Sequence, residues 1–69
     1  MFIQAPRTEK EMTYDDALLY CTFCNHDGFN NWRLPTKEEY HNTHGIYGWY
    51  LDDQTRGKFT VTPVRSIDN

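Results

Sequence analysis

The 69-residue sequence predicts a small α+β domain on three observations. A capped segment with helical apolar spacing lies in the first half, a second capping device follows "WRLP", and the last third switches to a period of two. Length permits a single domain over 1–69, with limited room for a core. Hydrophobic residues reach only 38%, but an aromatic content of 16% lets a few large rings bury area that many small side chains would not.

The opening "MFIQAP" alternates apolar and polar residues and stops at Pro6, as a short strand does. Thr13 then precedes "YDDALLYCTFC" with Asp16 three residues on, the pattern of a capping box, and Met12 and Ala17 hold the two staple positions. A first helix is expected at about 14–24, with Tyr14, Ala17, Leu18, Cys21 and Cys24 on its core side and Leu19 and Phe23 elsewhere. "NHDGF" ends it in a loop. Trp32, Arg33 and Leu34 lead into Pro35, which holds the residue before it extended. Thr36 and Glu39 repeat the capping device, so a second helix is expected at about 37–42. From Gly45 onward Tyr47, Trp49 and Leu51 alternate with Gly48, Tyr50 and Asp52, and "DDQTRGK" reads as a turn before Phe59, Val61 and Ile67. This predicts a C-terminal hairpin in which Pro63 marks an edge or a bulge that puts Val64 out of phase. Trp32, Trp49 and Leu51 are expected inside.

Composition removes several functions. A formal charge of -3 without a basic stripe gives phosphate neutralisation little to work with, so nucleic acid is not expected as a partner. The longest apolar run, "ALLYC", is too short to span a bilayer, and no signal peptide is expected. The two cysteines do not make a disulfide framework, which points to a reducing compartment.

Catalytic and metal constellations fare no better. Cys21, Cys24, His41 and His44, with His26 nearby, superficially offer zinc ligands, but the histidine pair is tighter than in a zinc finger and the cysteines lie in a capped helix rather than a knuckle. Both cysteines fall toward the helix C-terminus, where the dipole disfavours a thiolate, so redox chemistry is not expected. Glu38 and Glu39 are adjacent and diverge on a helix, whereas paired-carboxylate chemistry needs two groups facing one substrate. Asp52 and Asp53, with Asp27 and Asn30, lack the alternating spacing of a calcium loop. Ser66 is the single serine and has no nucleophile elbow around it. Arg33 could pair with Glu39 or capture a ligand, and Arg65 is open in the same way.

The blocks "MTYDDALLYC", "GFNNWRLPTKEEY", "GWYLDD" and "TPVRSID" stand in the order found in the Legionella-collagen-like-protein C-terminal domain family, which this chain resembles in shortened form. That family is related in fold to C-type lectin-like and sulfatase-modifying-factor domains. The matching positions are Thr13, Tyr14, Ala17, Tyr20, Gly28, Phe29, Trp32, Arg33, Leu34, Pro35, Thr36, Glu39, Trp49, Tyr50, Leu51, Val64 and Arg65. The resemblance implies a minimal C-type-lectin-like domain in which the terminal strands pair and two helices flank a small antiparallel sheet. Where relatives carry a long variable loop, this chain has only "HNTHGIYG", so the fold transfers better than any sugar or calcium site. Catalytic cysteines of the sulfatase-modifying relatives have no counterpart at Cys21 or Cys24.

The expected function is therefore a non-enzymatic interaction or structural module, without a cofactor, that binds another protein or itself. A phage-type assembly component or an inhibitor of a host protein fits that reading, in the cytoplasm or a virion. Leu19, Phe23, Tyr50, Asp52 and Asp53 are the contact candidates, because excess aromatic residues are typical of contact surfaces. Carbohydrate binding is the alternative.

Overall fold

The computed structural model of the chain describes residues 2–43, 45–53 and 57–67. Strand β1 is Phe2–Gln4, helix α1 is Tyr14–Phe23, helix α2 is Lys37–Asn42 and strand β2 is Val64–Ser66, with a 3-10 turn at His26–Gly28. β1 and β2 pair antiparallel, Phe2 opposite Ser66, Ile3 opposite Arg65 and Gln4 opposite Val64. The result is an α+β domain with two helices and a two-stranded antiparallel sheet.

Both helices begin where their caps dictate. The Thr13 side chain accepts the Asp16 N–H at 3.3 Å, and Met12 packs against the core cluster that contains Ala17, as a hydrophobic staple requires. At α1 the box is half formed, with the Thr13 bond in place and no return bond from Asp16 among the described residues. At α2 it is complete: the Glu39 N–H donates to Thr36 Oγ1 at 3.1 Å and the Thr36 N–H donates to Glu39 Oε1 at 2.9 Å. Helix α1 ends at Phe23 with Cys24 as its C-cap, one residue earlier than expected.

The C-terminal hairpin is not present as a regular ladder in the described residues. Segment 59–66 instead runs along the N-terminal segment: Ala5 N–H donates to the Pro63 carbonyl, Thr8 N–H to Val61 and Met12 N–H to Phe59, each at 2.8 Å. Alternate residues turn their polar groups the other way. The Thr60 carbonyl accepts Trp49 N–H at 3.0 Å, and Val64 exchanges both of its backbone bonds with Arg33 at 2.7 and 2.8 Å. The 59–66 segment thus has neighbours on both sides, and its pairing is irregular at Pro63: residues 61 and 63 face Thr8 and Ala5, two steps against three. The missing donor of Pro63 is tolerated because the bond to Ala5 uses only its carbonyl. Val61 and Val64 are both buried, three residues apart, since each face of this segment is covered.

Segment 45–51 fails as a strand for a local reason. Gly45 and Gly48 both adopt φ +94, and Asp52 lies at φ 65, so the backbone turns repeatedly instead of extending. Trp49 and Ile46 are buried, while Tyr47 is exposed and Leu51 is 37% exposed. Leu51, expected inside, contributes its backbone: its N–H donates to the Pro35 carbonyl at 2.7 Å.

The core gathers Ala17 and Cys21 from α1, Leu34, Trp49 and Val61, with Met12, Tyr14 and Leu18 packed on it. Trp49 sits edge-on to Tyr14 at 5.4 Å and to Phe59 at 4.9 Å, and its indole Nε1–H donates to the Met12 carbonyl at 2.6 Å. Trp32, also buried, donates its Nε1–H to the His26 carbonyl at 3.1 Å. Among the described residues no helix is long and apolar enough to cross a membrane.

Candidate functional site

The "WRLPTKEE" stretch resolves into a junction. Arg33 Nη1 donates to Glu39 Oε1 at 2.8 Å and Nη2 to Oε2 at 3.1 Å, a bidentate pair. Nη2 also donates to Ser66 Oγ at 2.9 Å, and Nη1 to the Leu34 carbonyl at 3.2 Å. One guanidinium thereby ties the first turn of α2 to β2, while the Arg33 backbone pairs with Val64. Glu38, on the exposed side of α2, takes no part in a shared acid pair with Glu39.

This pair sets a pH dependence. Hydrogen bonding from Arg33 holds the Glu39 carboxyl below the usual carboxylate range, against the opposing effect of burial and with help from the Thr36 N–H and the Arg33 charge. A depressed folded-state value contributes stability that is present above the unfolded value, about 4.3, and disappears as pH falls through the lower folded value. Urea midpoints followed by tryptophan fluorescence should therefore drop between about pH 5 and pH 3 in the wild type, with a flatter and lower profile in Glu39→Gln. Parallel profiles would refute the role assigned to Glu39.

A different arrangement occupies the outer side of α1. Asp16, Leu19, Tyr20 and Phe23 stand at i, i+3, i+4 and i+7, facing away from the core line of Ala17 and Cys21. Leu19 is 55% exposed, Tyr20 42% and Phe23 79%. With Met12 and Cys24 they line an open groove of about 810 Å³ between α1 and the segment before it, rimmed by Lys10, Glu11, Asp16 and His26. A helix apolar on two sides is ordinarily covered on both. Here one side is covered by the protein's own core. Tyr20 was not among the expected contacts, although its place one turn before Cys24 and three residues before Phe23 could have shown it.

The remaining expected contacts scatter. Tyr50 does not line the α1 groove; it packs on Tyr40 of α2 at 4.8 Å between centroids, with His41 at 6.0 Å. Asp52 is exposed, and its N–H donates to the Tyr14 hydroxyl at 2.8 Å. Asp53 is only 7% exposed, so it cannot serve as the surface contact expected of it: the turn that bonds its N–H to the Tyr50 carbonyl at 3.1 Å carries it inward. Cys21 is a buried free thiol pushed up to about 12, first by burial and then by neighbouring Cys24. It therefore behaves as a small core hydrophobe. Among the described residues no three His, Cys, Asp or Glu side chains converge on a metal position, and His44 lies outside those residues.

Arg65 behaves unlike Arg33. Its guanidinium carbon lies 3.5 Å from the centroid of the Phe29 ring and 5.9 Å from that of Trp32, so it is held by aromatic faces rather than by a carboxylate. Comparison of the chain with family models, with curated proteins and with solved structures finds no match.

Proposed function

We propose that this chain is a non-enzymatic interaction module that docks another protein on the outer side of α1. The observation that carries the reading is the exposure of Leu19, Tyr20 and Phe23 along one helix face, over an open apolar groove. Large unpartnered rings of this kind are costly in water and supply the anchors of protein interfaces. Cys24 and His26 both line the groove, but no hydrogen bond joins thiol to imidazole among the described residues, which favours binding over catalysis. The carbohydrate alternative loses Asp53 to the interior and finds Tyr50 packed on α2. Antiparallel pairing of the two chain ends supports a relationship to minimal C-type-lectin-like domains.

The test is the double variant Leu19→Glu, Phe23→Lys. It removes the apolar face while placing a Glu and a Lys four residues apart, and a cation in a last turn that has no basic residue. Stability should change by less than about 0.5 kcal/mol in urea unfolding. Association, read as self-association by light scattering or as quantitative capture on tagged protein, should weaken more than about tenfold. A folded variant that associates as the wild type does would overturn the proposal.

A further inference from the structure

The two arginines of the sheet region have opposite surroundings. Arg33 has its fork filled by Glu39 and Ser66. Arg65, one position from Ser66 and opposite Ile3, has no guanidinium donor bonded to a carboxylate, hydroxyl or carbonyl among the described residues. Its Nε is buried without an acceptor, while its two terminal nitrogens are not fully buried and the residue as a whole is half-buried. The chain is acidic overall, with ten Asp and Glu against seven Lys and Arg, yet among the described residues no carboxylate pairs with Arg65. Meanwhile the guanidinium carbon lies over the Phe29 ring, 3.5 Å from its centroid, and 5.9 Å from that of Trp32. Stacking on an aromatic face restricts the long side chain and leaves the in-plane N–H groups pointing away from the ring.

We propose that Arg65, set on Phe29, is a carboxylate-recognition site, taking the acidic side chain or C-terminal carboxylate of a bound chain end-on at its two terminal nitrogens. A planar fork already oriented by the rings loses less freedom on binding than a mobile surface arginine, and its two parallel donors match the two oxygens of a carboxylate. A free small carboxylate presents the same chemistry as a peptide one. The site is separate from the α1 groove and does not depend on it.

The arginine Nε–Hε signals of 15N-labelled protein report the site directly. Titration with sodium acetate, at ionic strength held constant with sodium chloride, should shift the Arg65 signal saturably with a Kd on the order of 10 mM, as expected of one charge-assisted pair. The Arg33 signal should stay in place. A short acidic peptide with an amidated C-terminus, compared with its free-acid form, separates side-chain from C-terminal recognition, and saturable binding of either form at Arg65 supports the site. Arg65→Lys keeps the charge but not the fork, and should weaken acetate binding at the neighbouring amides of residues 29 and 32 by about tenfold. A linear acetate response, an equal response at Arg33, or unchanged binding in folded Arg65→Lys would overturn the proposal.

Discussion

Gly48→Ala is expected to abolish cooperative folding at 25 °C, costing at least about 4 kcal/mol in a chain whose total stability is on the order of 3–10 kcal/mol. Two effects coincide at this position. Gly48 lies at φ +94, where an L side chain is strained, and a Cβ built there would stand 1.9 Å from the Thr60 carbonyl oxygen and 2.7 Å from its carbon. Both obstructing atoms are backbone, so no rotamer change relieves the clash. That same Thr60 oxygen accepts the Trp49 N–H at 3.0 Å, so moving it breaks the bond that seats the next residue in the core. Gly45→Ala is the control. Gly45 shares φ +94 but has nothing within 4 Å of its added Cβ, so only the backbone strain remains, about 1–2 kcal/mol. Urea unfolding followed by far-UV circular dichroism separates the two. A Gly48→Ala protein within about 1 kcal/mol of Gly45→Ala would mean that the 48–60 approach is looser than described.

Gly48 also explains why part of the fold could be read from the sequence and part could not. Helices α1 and α2 were legible because their determinants are local: Thr13 before Asp16, Thr36 before Glu39, and Pro35 just outside the second helix all act within four residues. The alternation of Tyr47, Trp49 and Leu51 was equally local but misleading, because a period of two has meaning only if the backbone stays extended, and Gly48 turns it. Pairing of Phe2–Gln4 with Val64–Ser66 joins the two ends of the chain, so no nearby residue encodes it. It entered only through a resemblance. The candidate site divides along the same line. Leu19 and Phe23 follow from helical spacing, which also contains Tyr20, whereas the inward place of Asp53 is set by the turn at 50–53, which a charged residue does not signal. The seat of Arg65 on Phe29 joins residues far apart in sequence and carries no spacing signal at all.

Trp49→Ala should be comparably severe, with a loss of about 3–5 kcal/mol that is global rather than confined to one loop. Trp49 joins segments that lie far apart in sequence. Its ring meets Tyr14 of α1 edge-on at 5.4 Å and Phe59 of the C-terminal segment at 4.9 Å, and its Nε1–H donates to the Met12 carbonyl at 2.6 Å. Each edge-to-face pair adds about 0.5–1.5 kcal/mol beyond burial. Loss of the indole donor leaves the Met12 carbonyl short of one partner, although that carbonyl also accepts the Phe59 N–H at 3.0 Å. Trp49→Phe separates these contributions, since it keeps a ring in the cluster but not the donor. Its expected cost is about 1–3 kcal/mol, which leaves a folded protein with a lower urea midpoint. The exposed Phe23 supplies the contrast, because its replacement uncovers no core and should leave the midpoint in place. If Trp49→Ala and Phe23→Ala shift the midpoint equally, the chain is not organised around Trp49. If only Trp49→Ala does so, one side of α1 is committed to the core and the other contributes little to stability.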